Sequence, residues 1–553
     1  MTVLSIQDLN VKFSTEKGDF HALKDVSFDV PEKTIVGIVG ESGCGKSTLI
    51  NSVLGLLADN GRVDSGSIEF EGQELTGLNP TEMRALRGPR ISCVFQDPMG
   101  ALNPVLSVGE QMRNIQYRDT IGKAEKDARS VEMLRSVKIP DPEHALDRYP
   151  HEFSGGMKQR IAIAMALMMR PSLLIADEPT TALDATLEVV TLDLLKDLQK
   201  QIGCSILFIS HHLGVIAELC DQVAVMFAGE VVERGSAAQV FTSPRHDYTR
   251  RLLECDPANQ KERTRRLPTM SDEPGSFVPV PVPPRQVPPA GATPLIEVED
   301  AQVHFHSGPF YKTRTTVGVG GVSFELFEGE TLGLVGESGS GKSTLARTMA
   351  RLSHITEGKV TFEGSSVHDL GRGDMQRLRR DVSVMFQDPF GSLSPRMKVR
   401  DLVAEPFRIH GVTDVDLIVE TDRLLTLAGL GPEFATRFPH QLSGGQARRV
   451  GVARAIALKP KLIIADEPTA GLDVSVQGGV LNLLNELRDE LRLAMVFITH
   501  NLHVVRHVAD RIAVMKQGQF VEIGETETIF ARPQHDYTKT LLAANLAGPG
   551  AHA

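Results

Sequence analysis

Gly40-Glu41-Ser42-Gly43-Cys44-Gly45-Lys46-Ser47-Thr48 stands between an apolar run, Ile35 to Val39, and a helical pattern. Gly336-Glu337-Ser338-Gly339-Ser340-Gly341-Lys342-Ser343-Thr344 repeats that setting after Leu332 to Val335. Both read G-x-x-x-x-G-K-S, a spacing suited to holding a polyphosphate. The glycines let consecutive backbone N–H groups turn inward, and the following helix adds its positive dipole end. Lys46 or Lys342 would reach the β- and γ-phosphates, Ser47 or Ser343 would ligate Mg2+, and Ser42, Thr48, Ser338 and Thr344 complete each cradle. A Gly-rich turn matching by chance is the competing reading. Two copies, each between a buried strand and a helix, leave it no room, so the chain is expected to bind nucleoside triphosphate at two places.

Two further patterns follow each loop. Leu173-Leu174-Ile175-Ala176-Asp177-Glu178-Pro179 and Leu462-Ile463-Ile464-Ala465-Asp466-Glu467-Pro468 are apolar runs ending in paired carboxylates. A continuous apolar strand suits the middle of a parallel sheet covered on both faces, and the carboxyl end of such a strand is where the sheet places its ligand. Asp177 and Asp466 would hold the Mg2+ shell. Glu178 and Glu467 would sit by the γ-phosphate and polarise the attacking water. An acidic turn capping a strand is the plainer reading of either pair alone; the phosphate loop upstream of both favours the catalytic one. Ser154-Gly155-Gly156-Met157 and Ser443-Gly444-Gly445-Gln446 each open an amphipathic helix, where a serine is an N-cap and the free N–H groups are an anion site.

These motifs need elements to carry them, and the repeat supplies those elements twice. Leu4 to Phe13 and Val26 to Val30 read as strands, and residues 107–150 and 397–439 carry helical periodicity. Gly66 to Gly72 matches Gly358 to Gly364, and Val94-Phe95-Gln96-Asp97-Pro98 matches Met385-Phe386-Gln387-Asp388-Pro389. The near-constant offset of about 290 residues means one fold used twice. Residues 1–255 and 295–545 are expected as the two domains, with 546–553 a flexible tail. Between the domains, 256–294 holds ten prolines; such a stretch cannot form a core of its own and reads as an extended tether, spanning about 35 Å as a flexible coil.

Composition sets the class. The 553 residues are 41% hydrophobic and 23% charged, as in ordinary globular domains, and the net charge of −11 argues against non-specific nucleic-acid binding. Five cysteines include no C-x-x-C pair, so neither zinc nor an iron–sulfur cluster is expected. The longest apolar run, Ile161 to Met169, is well short of the ~20 residues a membrane helix needs. With no signal-like pattern in MTVLSIQDLN, a cytoplasmic chain is expected.

With phosphate loop, glutamine loop, Ser-Gly-Gly and Asp-Glu strand in the same order twice, and His211 and His500 just past a further apolar strand, the chain resembles the ATPase subunit of an ATP-binding cassette transporter with two cassettes fused. The resemblance covers both halves and implies an α/β fold of two tandem nucleotide-binding domains. Each would be a RecA-like parallel-sheet core with an antiparallel β subdomain and an α-helical signature subdomain. It implies ATP and Mg2+ as cofactors, with Lys46, Ser47, Gln96, Asp177, Glu178 and His211 serving one ATP together with Ser443 to Gln446. Lys342, Ser343, Gln387, Asp466, Glu467 and His500 would serve the other together with Ser154 to Met157. Gln96 and Gln387 would sense the γ-phosphate and join the metal shell, the histidines would contact that phosphate, and Asp184 and Asp473 would signal between sites. Phe13 and Phe305 are the candidates for stacking on adenine. Met157 departs from the pattern at the place of Gln446, but neither half lacks its glutamate or histidine.

Ser243-Pro244-Arg245-His246-Asp247-Tyr248-Thr249 recurs as Arg532-Pro533-Gln534-His535-Asp536-Tyr537-Thr538. These tails resemble those of the peptide, nickel and opine importer group, whose fused members include importers of glutathione, microcin C and oligopeptides. That implies two transmembrane permease subunits, a periplasmic or extracellular solute-binding protein, no nucleic acid, and peripheral attachment to the cytoplasmic face of the inner membrane. The alternative from a different class is a twin-cassette translation factor acting on the ribosome. Such factors join their cassettes by a basic helical linker, which the proline-rich stretch and the acidic chain do not provide.

Overall fold

The computed structural model describes residues 1–16, 18–95, 98–180, 183–260, 262–282, 291–307 and 314–545; the tail expected at 546–553 lies outside them. Largely apolar runs of five residues are too short for helices, and buried almost throughout they belong in a sheet covered on both faces. Ile35–Val39, Leu173–Asp177 and Ser205–Ile209 are such strands. In the first half a six-stranded sheet runs Glu230–Ser236, Gln222–Phe227, Ile35–Val39, Ser205–Ile209, Leu173–Asp177, Ile91–Val94. Its neighbours are parallel except the first pair. The second half repeats the order with Gln519–Glu525, Arg511–Lys516, Thr331–Val335, Ala494–Thr499, Leu462–Asp466 and Val382–Met385. Register pairs Asp177 with Ile209 and Asp466 with Ile498. The carboxyl ends of the loop strand, the histidine strand and the Asp-Glu strand therefore lie side by side.

Each half adds a four-stranded antiparallel sheet. Its hairpin, Thr2–Thr15 with Gly18–Pro31, is longer than the alternation predicts. Bulges break the period-2 pattern, as at Asp8, whose backbone is left-handed with φ 47°. The helical stretches appear as Val108–Ile115 and Lys123–Ser136, and as Val399–Ile409 and Leu417–Leu427. The α/β class, with a parallel core, an antiparallel sheet and helices in each half, is as the sequence predicts.

Packing divides the chain into two compact units, Met1–Leu253 and Glu254–Leu546. The division departs from the tether expectation, because residues 256–282 pack into the second unit. Leu267 is 1% exposed and joins a core with Leu481 and Leu484. Asn482, on helix Val474–Leu491, accepts from Leu267 N–H at 2.7 Å and donates to Leu267 C=O at 2.8 Å. Asn485 donates to Arg265 C=O at 3.1 Å, Arg265 pairs with Asp489, and Arg263 donates to Ala509 C=O at 2.6 Å. The Thr264 N–H donates to His507 Nδ1 at 3.3 Å, and burial first of all pushes His507 down to about 4, keeping it a neutral acceptor. Proline-rich composition forbids a core of the segment's own, but prolines bring no N–H to satisfy, which suits an extended strap laid on a core that already exists.

Asn482→Ala would leave both Leu267 backbone groups buried and unpaired, at a cost of about 2–4 kcal/mol. The expected result is new proteolytic cleavage within 256–282 while the second unit stays folded; protection equal to wild type would mean that the asparagine does not hold the strap.

Candidate active site

Each phosphate loop needs backbone that only glycine adopts readily. Gly45 and Gly341 cap the following helices at φ 111° and 106°, and a Cβ on Gly341 would stand 2.2 Å from Gly318 C=O. Lys46 opens helix Lys46–Leu54 and is 8% exposed; its Nζ donates to Gly40 C=O at 2.6 Å and Glu41 C=O at 2.9 Å. Lys342 does the same toward Gly336 and Glu337 at 2.7 and 2.8 Å. Each lysine folds back on its own loop.

The neighbouring strand ends bring the carboxylates in. Ser343 Oγ donates to Asp466 Oδ1 at 3.2 Å. Glu467 Oε1 lies 3.0 Å from His500 Nδ1, and Glu467 Oε2 accepts from Gln387 Nε2 at 3.3 Å. In the first unit Glu178 Oε2 lies 3.2 Å from His211 Nδ1. Gln96 lies outside the described residues. Burial, then the adjacent Glu178 charge, pushes Asp177 up to about 6, and Lys46 opposes the rise. Burial likewise raises Asp466. Burial also pushes Glu467 upward, but the His500 bond and the charges of His500, Lys342 and Arg448 outweigh it and leave the carboxyl below its usual range. Adjacent acids in unlike settings can divide labour, one beside the lysine and a serine, the other beside a histidine.

Glu178 and Glu467 both carry φ 47° ahead of a proline, and their N–H groups are fixed on Ile209 and Ile498 C=O at 2.9 Å. A non-glycine residue in that region stores about 1–2 kcal/mol. The same conformation recurs at the same residue of both copies.

Ser154 caps helix Gly155–Leu167 by accepting from Met157 N–H at 3.4 Å. Ser443 caps Gly444–Ile456, and there Gln446 Oε1 also accepts from Ser443 N–H at 3.0 Å. A Cβ on Gly156 would stand 3.0 Å from Leu187 and one on Gly445 2.7 Å from Val476. Asp184 caps its helix, accepting from Leu187 N–H at 3.1 Å. Phe13 is half-buried with its ring against Gly61, whereas Phe305 is 47% exposed with its ring over Gly318, which Thr344 also touches. Opposite Phe13 in the hairpin stands Phe20, 61% exposed, which the sequence did not single out.

Arg448 also escapes the sequence reading. It is 3% exposed and donates to the carbonyls of Phe386, Gln387 and Ala470 at 3.2, 2.9 and 3.2 Å, tying the glutamine loop to the segment after Glu467. The signal was available: the first half has Gln159 at that place in the repeat.

The profile described as "ABC transporter" matches residues 23–181 and 319–470, and the one described as "Oligopeptide/dipeptide transporter, C-terminal region" matches 232–280 and 521–547. The chain is 42% identical to the glutathione import ATP-binding protein GsiA of Shigella dysenteriae and of Escherichia coli K12, over 98% of this chain and 89% of each relative. For that of Salmonella paratyphi A the identity is 42%, over 100% and 90%. A solved dimeric ATP-binding cassette in a post-hydrolysis state, bound to ADP and Pi, aligns at 29% identity over 42% of this chain and 98% of that one, with a TM-score of 0.39.

The backbone strain is testable apart from any chemistry. Glycine relieves φ 47° and glutamine does not, so Glu467→Gly should unfold in urea with about 1 kcal/mol more stability than Glu467→Gln. Equal midpoints would show that the conformation is not strained.

Proposed function

The chain belongs to the ABC transporter family and is an importer ATPase with two cassettes, and on that premise we propose that it powers uptake of glutathione or a short peptide. The observation that carries this is the near full-length 42% identity to relatives named glutathione import ATP-binding proteins. The tails within the matched oligopeptide/dipeptide regions support a peptide-like solute. No helix among the described residues is long and apolar enough to cross a membrane. We therefore infer that the chain sits at the cytoplasmic face through two permease subunits, and that a solute-binding protein outside the membrane selects the cargo. The ribosome-acting alternative finds no support.

At each site we assign the lysine, Lys46 or Lys342, to the β- and γ-phosphates, and the loop N–H groups with the helix end to the rest of the polyphosphate. Mg2+ fits the donors present, a serine hydroxyl beside one aspartate, Ser343 and Asp466, with Ser47 and Asp177 as counterparts. These are hard oxygens, and Mg2+ takes one or two carboxylates plus phosphates and water rather than a protein cage. Bound there, the ion neutralises phosphate charge. Glu178 and Glu467 orient and polarise the attacking water, and His211 and His500 hold each glutamate and reach the γ-phosphate. Gln96 and Gln387 read that phosphate. The helix starts at Ser154–Gly156 and Ser443–Gln446 serve as further phosphate contacts, and Phe13 and Phe305 as adenine platforms.

Glu178→Gln and Glu467→Gln should keep ATP binding while the altered site loses about 100-fold in turnover, roughly 2.7 kcal/mol at the barrier. Independent sites would leave each single variant about half of the activity; coupled sites, as expected here, leave far less. The measurement is ATPase rate and uptake of labelled glutathione and dipeptides in membranes containing the permeases. Full ATPase and transport in either single variant would remove that glutamate from the mechanism. Uptake of neither solute would exclude the proposed cargo.

Arg448→Gln removes one of the charges that hold Glu467 low. Glu467 must be ionised to polarise water, so the acid limb of the pH–rate profile should move to higher pH, while turnover near neutrality, where the carboxyl stays ionised, should change by less than about twofold. An unmoved limb would show that Arg448 acts on the loops alone.

A further inference from the structure

The His-Asp-Tyr-Thr tails have no part in the chemistry above, yet both end on a phosphate loop. Tyr248 is 4% exposed, and its phenol oxygen accepts from Glu41 N–H at 3.1 Å. Tyr537 is 8% exposed, and accepts from Glu337 N–H at the same 3.1 Å. The Glu41 N–H belongs to the same peptide unit as Gly40 C=O, the group that receives Lys46 Nζ at 2.6 Å. In the second unit that unit joins Tyr537 to Lys342 through Gly336 C=O at 2.7 Å. One peptide plane thus carries the tail's hydroxyl on one edge and the loop's ammonium on the other.

The tail is built to aim that hydroxyl. Glu233 accepts from Arg245 and His246 N–H at 2.7 and 3.1 Å, and His246 Nδ1 accepts from Tyr248 N–H at 3.1 Å. Glu522, Gln534, His535 and Tyr537 repeat this at 2.9, 3.1 and 3.0 Å. The rings are held as well, Tyr248 against Phe227 with centroids 4.3 Å apart and Tyr537 under Lys516 Nζ at 4.6 Å. An arrangement duplicated down to the hydrogen bonds, in two copies whose sequences otherwise diverge, is under constraint.

We propose that Tyr248 and Tyr537 are positioning residues for ATP, each fixing the first peptide of its phosphate loop so that the loop is ordered before nucleotide arrives. The assignment rests on the reading of the loops as ATP sites. Two effects of the bond oppose each other. Polarising the peptide strengthens the carbonyl's hold on the lysine, which must leave for the phosphates, but such strengthening is only a fraction of one bond. Ordering the loop in advance spares entropy that binding would otherwise lose, and this is the larger effect.

The test is Tyr248→Phe, Tyr537→Phe and the double variant in the full chain with its permeases, with Lys46→Ala and Lys342→Ala as references. Phenylalanine keeps the ring and removes the hydroxyl, which accepts from the loop N–H and can also donate. The expected result is an ATP KM raised about 5-fold in each altered site with kcat within twofold, and an unchanged melting temperature of the nucleotide-free chain. KM equal to wild type, tighter ATP binding, or KM, kcat and melting temperature falling away together would each overturn the proposal. If the lysine variants bind ATP like wild type, the reading of the loops fails instead, and the two failures are told apart.

Discussion

Two ammonium groups sit almost out of reach of water, and the chain must solvate them itself. A buried charge is costly unless paired or hydrogen-bonded. Lys46 and Lys342 are satisfied by carbonyls of their own loops, at 2.6 to 2.9 Å. A loop that turns carbonyls toward a lysine on one side presents N–H groups on the other, and glycines with positive φ make that turn possible. The parallel sheet serves the same need, because it brings the carboxyl ends of its strands to one edge, where Asp177 or Asp466, two strands from the phosphate loop, comes within the field of the lysine.

The two copies are not equivalent in their details. Gln446 closes a reciprocal cap with Ser443 that Met157 cannot make with Ser154. Arg448 binds two loops where the first half has Gln159. Ser340 accepts from Lys342 at 3.3 Å where Cys44 sulfur stands 3.9 Å from Lys46. Each difference leaves the glutamate and histidine in place and changes what surrounds them. The glutamates and histidines are alike in the two copies, and the side chains around them differ.

Much of this was legible in the sequence, and for physical reasons. Short apolar runs, glycines at fixed spacing and carboxylates at strand ends are local signals, and the repeat let each half check the other. What was not legible depends on partners distant in sequence. The hairpin lengths were hidden by bulges that interrupt alternation at Asp8 and its neighbours. Tyr248 and Tyr537 could be seen as a recurring tail, but nothing local says that a phenol meets a loop 207 or 200 residues away. The strap's partners are hidden for the same reason: proline content reports what a segment cannot do alone, not what it can do against Asn482 and Asn485.

The strap also sets an order of events during synthesis. Leu267 leaves the ribosome 215 residues ahead of the asparagine that binds its backbone. At about 5–20 residues per second, that is a wait of roughly 10 to 40 s. Through that interval the first cassette can complete its own sheets, while the segment behind it has an apolar side chain and unpaired backbone groups but no surface to settle on. Chain elongation therefore acts as a timer: the strap can dock only once helix Val474–Leu491 has been made.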